Sequence, residues 1–282
     1  MEVRTLEQAL SYARLYLKEQ NIEEYELDGW YLFSYYFHMN RAAYLLNRLD
    51  PVDEKDFNQF MELVKRRGSH VPLQYVTGEQ EFMGLPFAVS KDVLIPRQDT
   101  EILVEEVLKI SRGKEILDVC TGSGCIILSL SRLGSIKRGV GVDISPHALR
   151  IANQNKENLR EEVTFLLSDL FEKVEGTFDI IVSNPPYIRT KDIDTLMEEV
   201  REYEPHLALD GKEDGLYFYE KIVEELPKYL KRGGSVFFEI GHDQGKEVSA
   251  ILARKDFTDI VVIKDLAGLD RVVKAVKGTR NP

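Results

Sequence analysis

The sequence predicts an α/β protein with a doubly wound, mostly parallel sheet, preceded in the chain by a small bundle of helices. Three observations lead to this prediction. From about residue 100 onward, short apolar runs alternate with helical patterns, which is typical of parallel sheets. Residues 1 to about 75 show helical periodicity and almost no strand signal. The chain of 282 residues, 43% of them hydrophobic, is long enough to bury a large core.

The N-terminal region is expected to hold four helices. Apolar residues recur at helical spacing in each of them, and Pro51-Val52-Asp53 is a typical start for the fourth. The four are predicted over 6–17, 30–37, 42–49 and 57–64. We therefore expect a helical domain over residues 1–73.

Residues 72–96 change character and predict a β-hairpin. We expect a strand at Tyr75-Val76, a turn at Thr77-Gly78, and further strand residues at Glu81-Phe82 and Phe87–Val89. These residues define a predicted linker over 74–96, so the α/β domain is expected over 97–282.

Seven strands are predicted in the α/β domain. The short connection between the last two suggests one antiparallel strand near the edge of the sheet. The predicted strands are Glu115–Cys120, Gly139–Asp143, Val163–Ser168, Phe178–Ser183, Ser235–Ile240, Thr258–Lys264 and Arg271–Val276.

Composition narrows the class of protein. The net charge of −11 disfavours direct binding to nucleic acid, which usually requires a basic face. No apolar run approaches the length of a membrane span, and the N-terminus lacks a signal-peptide pattern. Two cysteines, Cys120 and Cys125, fit neither a disulfide scaffold nor a metal site, so we expect a cytoplasmic protein without metal.

The first predicted strand runs into the stretch DVCTGSGC (118–125). A glycine-containing turn between a parallel strand and a helix is a common site for nucleotide-like ligands. The dinucleotide fingerprint is incomplete, because Ile127 stands where a third glycine would follow Gly122 and Gly124. Asp118 at the strand end would repel phosphate and suit a cationic ligand.

Acidic residues follow the next two strands. Asp143 is placed to accept hydrogen bonds from a ribose diol, while Asp169 and Leu170 suit an adenine ring. A ligand with adenosine, a free diol, no phosphate and a positive centre is S-adenosylmethionine, with S-adenosylhomocysteine as its product. The alternative is a structural turn in which the acids cap helices.

The fourth strand ends in SNPPYI (183–188). The side-chain carbonyl of Asn184 and the backbone carbonyl of Pro185 could grip both N–H bonds of a planar amino group. Pro185 and Pro186 fix the backbone and remove competing donors, and Tyr187 offers a flat face for stacking. Such a clamp holds adenine N6, guanine N2 or a glutamine amide equally well.

Six stretches together resemble the protein-(glutamine-N5) methyltransferases of the HemK/PrmC family over essentially the full length. The motif Asn-Pro-Pro-Tyr is shared with adenine methyltransferases, whereas IPRQDTE and EPHLALDG are more particular to this family. The stretches are PLQYVTGEQEFMGLPF (72–87), VLIPRQDTE (93–101), DVCTGSGC (118–125), SNPPYI (183–188), EYEPHLALDGKEDGL (202–216) and DLAGLDRV (265–272).

The resemblance implies a class I S-adenosylmethionine-dependent methyltransferase fold and methylation of the Gly-Gly-Gln glutamine in class 1 peptide-chain release factors. It implies that the helical domain docks this protein substrate. Cys120 stands where a first glycine is common and Leu170 where some relatives carry tryptophan, so cofactor affinity is expected to differ. The implied cofactor residues are Cys120, Thr121, Gly122, Ser123, Gly124, Asp143, Leu170 and Asn184, and the implied catalytic and substrate clamp is Asn184, Pro185, Pro186 and Tyr187.

Two other functions stay open at this point. A nucleic-acid amino-methyltransferase would need a basic groove and a base-flipping pocket, and a non-catalytic binding module would not need the clamp.

Two flanking stretches are also candidates for the site. Arg97 and Glu101 either shape the pocket or form a local ion pair. Glu204-Pro205-His206 is a candidate to close over the site, with His206 interpreted as a loop or capping residue and not as a catalyst.

Overall fold

The computed structural model describes residues 4–278, so the first three and last four residues of the predicted domains lie outside the described part. The chain divides into two compact units. The first covers the described part of Met1–Gly78 together with Met197–Tyr203. The second covers Glu79–Leu196 and the described part of Glu204–Pro282.

The first unit is helical, and its helices begin where the sequence supplies capping side chains. Thr5 and Gln8 form a capping box, and the side chains of Asn40 and Asp53 accept from backbone N–H groups. The helices are α1 (Leu6–Glu19), α2 (Tyr25–Phe37), α3 (Arg41–Asn47), α4 (Glu54–Gly68), α5 (Leu73–Thr77) and α9 (Glu198–Tyr203), with a short pair of strands, β1 (Arg4–Thr5) and β2 (Pro51–Val52). The four predicted helices are confirmed.

The prediction for Tyr75-Val76 is wrong, because these residues lie in helix α5. Pro72 precedes the helix, and Gly78 ends it in the left-handed conformation, with φ +79°. The hairpin follows, with β3 (Glu79–Phe82) paired to β4 (Leu85–Ala88). Its turn is Met83-Gly84, both at positive φ, and not Thr77-Gly78.

The second unit contains one seven-stranded sheet, which confirms the predicted fold class. The strands are β5 (Glu115–Val119), β6 (Arg138–Asp143), β7 (Val163–Leu167), β8 (Phe178–Ser183), β9 (Leu230–Glu239), β10 (Phe257–Lys264) and β11 (Asp270–Lys277). Their order across the sheet is β10-β11-β9-β8-β5-β6-β7. Strand β11 is antiparallel to both neighbours and the other pairs are parallel, as the short final connection predicts.

Strand β9 begins earlier than predicted. Its first residue, Leu230, pairs with Phe178, and a register shift then brings Ser235 opposite Ile180. The intervening Gly233 has a positive φ of +69°. Strand propensity did not predict this part of β9, because glycine is depleted in regular strands.

Both faces of the sheet are covered, as a parallel sheet requires. Leu117 of β5 and Ile181 of β8 enter one buried cluster, while Ile116 and Ile180 enter the other. The helices of this unit are α6 (Gln98–Leu108), α7 (Cys125–Gly134), α8 (Pro146–Leu159), α10 (Tyr217–Tyr229) and α11 (Gly245–Ala253), with 3₁₀ turns at Thr190–Thr195 and His206–Ala208. Within residues 4–278, none of the helices has the length and apolar character needed to cross a bilayer.

The chain order reverses between β5 and β8, which lie side by side in the sheet. In open α/β sheets, ligands bind beyond the carboxyl ends of the strands at such a reversal. A ligand site is therefore expected at the loops that follow β5, β6, β7 and β8.

Candidate active site

A cavity of about 740 Å³ lies at these loops, a size typical of small-molecule sites. All of its lining residues belong to the second unit. The tips of four neighbouring strands contribute to it, as the sequence predicts. The predicted site residues on the lining are Cys120, Thr121, Gly122, Ser123, Asp143, Leu170, Asn184 and Pro186, together with Asp169.

The loop after β5 is shaped by two glycines at positive φ. At Gly122, with φ +55°, an added Cβ would meet no heavy atom within 4 Å among the described residues, so the backbone borders open space. At Gly124, with φ +79°, a Cβ would lie 2.9 Å from Phe165. Gly124 is the residue before α7 and is absent from the described lining. One glycine leaves room for a ligand and the other allows close packing.

Asp143 ends β6 and anchors this loop. Its Oδ2 accepts from the backbone N–H of Gly122 at 2.8 Å, and its Oδ1 accepts from Ser145 at 2.9 Å. Each carboxylate oxygen keeps a second lone pair for a ligand. Burial raises the pKa of Asp143, while these backbone N–H groups oppose the shift. The bond to Gly122 occupies a donor that a phosphate would otherwise use.

Asp118 has a different role from the one that the sequence suggests. Its side chain is fully buried, lies outside the described cavity lining and accepts from the Thr121 hydroxyl at 2.6 Å. Burial raises the pKa of Asp118 to about 7, and the neighbouring Asp143 also raises it. The carboxyl therefore supports the loop from beneath, and near neutral pH a large fraction of it is uncharged.

The loop after β8 carries the predicted clamp. Asn184 donates its side-chain N–H to the Thr100 hydroxyl at 3.4 Å. Of the described residues in the clamp, Asn184 and Pro186 line the cavity, and Pro185 and Tyr187 do not. The Tyr187 hydroxyl donates to Glu239 Oε1 at 3.4 Å, and burial followed by the charge of Glu239 raises the pKa of Tyr187. Tyr187 thus remains a neutral donor.

Residues 209–215, to which the sequence analysis assigned no role, pack against the backbone of the clamp. The backbone N–H of Ile188 donates to Leu209 at 3.0 Å, and that of Gly211 donates to Ile188 at 2.8 Å. A Cβ on Gly211 would lie 2.7 Å from the Tyr187 backbone, and one on Gly215 would lie 2.4 Å from the Tyr187 carbonyl oxygen. The two glycines in ALDGKEDGL were the available signal for this close packing.

Gln244 secures the same loop from another direction. Its side-chain amide donates to the backbone carbonyls of Tyr187 at 3.1 Å and Gly215 at 3.2 Å. The Gln244 carbonyl oxygen accepts from Gly241 at 2.9 Å, and the residue is 3% exposed. No sequence pattern pointed to Gln244, because it lies 57 residues from Tyr187 in the chain.

The two segments most particular to the resemblance are joined by an ion pair. Arg97 contacts Glu204 through its guanidinium, and Glu204 also accepts from the backbone N–H of Ile95 at 3.2 Å. Arg97 and Pro205 line the cavity, whereas Glu101 accepts from the backbone of Met83. The ion pair at Arg97 is therefore long-range and adjacent to the site, and not a local pair with Glu101.

The cavity lining carries more acidic than basic side chains. Six carboxyl groups line it, against three basic groups. This balance favours a ligand with a positive centre over an anionic one. No cluster of three or more possible metal ligands occurs in the part of the chain that the structure describes.

The architecture and the site define a methyltransferase-type fold. The structure is similar to that of a methyltransferase from Pyrococcus furiosus, with a TM-score of 0.54 and 18% identity, over 70% of this chain and 91% of the other. The model of the methyltransferase small domain matches residues 95–213. The model of the PrmC N-terminal domain matches residues 8–78.

Two relatives extend over nearly the whole chain. The release factor glutamine methyltransferase of Clostridium acetobutylicum is 44% identical over 97% of this chain and 99% of its own length. That of Geobacter sulfurreducens is 41% identical over 96% of each. The chain belongs to the release factor glutamine methyltransferase family, which confirms the resemblance found in the sequence.

Proposed function

We propose that the protein transfers a methyl group from S-adenosylmethionine to the side-chain amide nitrogen of the glutamine in the Gly-Gly-Gln motif of class 1 peptide-chain release factors. The observation that carries this proposal is the position of Asn184, at the tip of β8 on the wall of the cavity that Gly122 and Asp143 also line. Asn184 and Pro186 of the proposed clamp thus line the same cavity as the residues proposed to hold the methyl donor.

The residues of the cavity fit S-adenosylmethionine. The open space at Gly122 admits a ligand against the backbone, and the spare lone pairs of Asp143 suit a ribose diol. Leu170 offers an apolar contact for adenine, and the excess of carboxyl groups suits a sulfonium. When bound, the cofactor supplies an electrophilic methyl group, and the protein residues hold the acceptor.

The acceptor chemistry follows from the clamp. An amide nitrogen is a poor nucleophile because its lone pair is delocalised into the carbonyl group. In this proposal the Asn184 carbonyl oxygen on the cavity wall accepts one N–H of the acceptor, and the backbone carbonyl of the adjacent Pro185, outside the described lining, accepts the other. The acceptor nitrogen sheds a proton after methyl transfer, so no general base is needed beforehand. The rigid backbone at Pro185-Pro186 preorganises both acceptors.

A protein substrate fits the charge of the chain. The protein's net charge of −11 would repel a polyanionic phosphate backbone. We propose the helical residues 1–73 as the docking module for the release factor. Translation termination takes place in the cytoplasm, so a cytoplasmic location belongs to the same proposal.

A methyl-transfer assay with labelled S-adenosylmethionine tests the proposal. Four acceptors are offered side by side: a class 1 release factor, its Gly-Gly-Gln→Gly-Gly-Asn variant, unmethylated DNA and ribosomal RNA. We expect label on the wild-type release factor alone, located to the motif glutamine by peptide mass spectrometry. Label on DNA or RNA would instead support an amino-methyltransferase of nucleic acid, and equal labelling of both release factors would exclude the motif glutamine.

A further inference from the structure

The end of β9 and the turn that follows it hold the loop after β8 at several points. The Tyr187 hydroxyl donates to Glu239 Oε1 at 3.4 Å, and the Tyr187 backbone carbonyl accepts from Gln244 Nε2 at 3.1 Å. Two residues further along, the Arg189 guanidinium donates to Asp243 Oδ2 at 2.8 Å. Tyr187 is therefore held at both of its polar ends by one segment, and the proposed mechanism uses neither contact.

The backbone around Gln244 fixes the direction of its side-chain amide. The amide nitrogen donates to two backbone carbonyls, those of Tyr187 at 3.1 Å and Gly215 at 3.2 Å, and the amide oxygen accepts from the Gly241 N–H at 2.9 Å. A backbone carbonyl only accepts and a backbone N–H only donates, so the reversed amide would lose all three bonds. The orientation therefore needs no ligand and no particular protonation state.

Gly215 leaves the space that this hydrogen bond needs. A Cβ at this position would lie 2.4 Å from the Tyr187 carbonyl oxygen and 2.6 Å from Gln244 Nε2. The added atom would thus crowd both the acceptor and the donor of the same bond. The backbone here also has a positive φ of +75°, which glycine adopts without strain. Gly215 and Gln244, which lie 29 positions apart in the chain, are therefore matched to each other.

The bond from Gln244 completes the restraint of one peptide group. That group joins Tyr187 to Ile188: its carbonyl accepts from Gln244, and its N–H donates to the Leu209 carbonyl at 3.0 Å. The two prolines before Tyr187 already have their φ fixed by their rings. Because both polar atoms of the Tyr187–Ile188 peptide are held, the backbone that carries the Pro185 carbonyl has little freedom left.

We propose that Gln244 is a positioning residue whose two side-chain N–H donors hold the clamp in the geometry that methyl transfer requires. The proposal rests on the proposed function, in which the Asn184 side chain and the Pro185 carbonyl grip the acceptor amide. Gln244 is 3% exposed and is absent from the described cavity lining. It therefore acts through the Tyr187 carbonyl and touches neither the substrate nor the methyl donor.

Gln244→Glu removes the donors at nearly constant shape. The carboxyl group keeps an oxygen for the Gly241 N–H, but it offers one hydrogen at most, so at least one of the two carbonyls loses its donor. We expect kcat for release-factor methylation to fall about tenfold or more, because small displacements of a reacting group are costly. The KM for the release factor and the dissociation constant for S-adenosylmethionine should stay near wild type. Gln154→Glu, the same change at an exposed position of α8, is the matched control and should leave kcat unchanged.

A double variant tests whether Gly215 and Gln244 act on the same bond. The Cβ in Gly215→Ala crowds the hydrogen bond that Q244E weakens from the other side. We expect Q244E/G215A to turn over about as fast as the slower of the two single variants, since neither change can remove the bond twice. Independent packing defects would multiply their effects on kcat, and that result would overturn the pairing.

Amide exchange gives a readout that does not require turnover. Deuterium uptake at the Ile188 N–H, which donates to Leu209, can be followed by mass spectrometry of a peptide that contains it. We expect faster uptake in Q244E and G215A, wild-type uptake in Q154E, and no change in peptides from β5. A general loss of stability would instead raise uptake in this central strand as well.

The outcomes distinguish the two proposals. If the wild type labels the release factor and Q244E keeps its kcat, the positioning role is overturned and the proposed function stands. A fall in kcat together with weaker binding of S-adenosylmethionine also overturns the positioning role, because Gln244 would then support the fold as a whole.

If the wild type labels no release factor, the proposed function fails, and the exchange measurement decides on Gln244 separately. Wild-type uptake at Ile188 in Q244E overturns the positioning role, whereas faster uptake there supports it. Should Q244E not fold, Gln244→Met, which lacks the donors and adds no charge, carries the test with the same expectations.

Discussion

Arg97 and Glu204 form an ion pair that joins two segments 107 residues apart in the chain. Glu204 is 5% exposed, and it also accepts from the backbone N–H of Ile95. One carboxyl group therefore holds both the residues before α6 and the segment that packs against the clamp. This contact joins the IPRQDTE and EPHLALDG stretches in the folded protein.

Glu204→Ala is expected to lower the free energy of unfolding by about 2 kcal/mol, because it leaves the Ile95 N–H and the partly exposed Arg97 without their acceptor. Glu204→Gln retains an acceptor for Ile95 and should lose less. Urea unfolding measures both. Glu213→Ala removes an exposed carboxyl group of the same segment and should change stability by no more than about 0.5 kcal/mol. Equal losses in E204A and E213A would contradict the assigned role.

Gly215→Ala tests the close packing behind Tyr187. A Cβ there would lie 2.4 Å from the Tyr187 carbonyl oxygen, so the clamp must shift. We expect a fall in turnover of at least about tenfold, since small displacements of a reacting group are costly. Gly84→Ala is the matched control, because Gly84 has a similar φ of +71° and no described atom within 4 Å of the added Cβ. It carries only the backbone strain of about 1 kcal/mol and should keep wild-type turnover.

Much of the α/β unit could be predicted because its strands are buried on both faces and stand out as apolar runs. Strand β8 has the predicted bounds, Phe178–Ser183. The strand prediction for Tyr75-Val76 was wrong. The strand propensity of two residues carries little weight against a helix that begins after Pro72 and ends at Gly78. Strand propensity is a poor predictor where helix-capping residues determine the backbone conformation.

The site could be predicted as far as strand tips determine it. Asp143, Leu170 and Asn184 lie at or just beyond the carboxyl ends of neighbouring strands, and all three line one cavity. Thr100 and Gln244 could not be predicted, because they reach the clamp through packing between segments distant in sequence. Their positions depend on how helices sit on the sheet, which no local pattern specifies.

Asn184 and Asp143 should affect different steps. Asn184→Ala removes the proposed acceptor for the substrate amide, and we expect turnover to fall about 10²- to 10³-fold with little change in cofactor binding. Asp143→Ala removes the acceptor of the Gly122 N–H and the proposed acceptor of the ribose, so cofactor binding should weaken by about tenfold or more. Titration calorimetry with S-adenosylmethionine and single-turnover kinetics separate the two effects. Normal turnover in Asn184→Ala would show that the clamp mechanism is wrong.

The buried Asp118 makes stability depend on pH. Burial raises its pKa to about 7 in the folded protein, whereas a carboxyl of this type titrates near 4 in an unfolded chain. Between these values the native state keeps a proton that the unfolded state has lost. The free energy of unfolding therefore falls as pH rises through this window, and the loss is complete above pH of about 7.

Asp118→Asn removes this titration and keeps a carbonyl oxygen for the Thr121 hydroxyl. We expect the decline in unfolding free energy between pH 5 and pH 8 to be shallower in this variant than in the wild type, by up to about 3 kcal/mol, because about two pH units of the shift fall within this range. Urea unfolding at several pH values measures the slope. The exposed Glu213→Gln should retain the wild-type slope. If Asp118→Asn also retained it, Asp118 would be charged in the folded protein throughout this range, and the bond from Thr121 would outweigh the cost of burial.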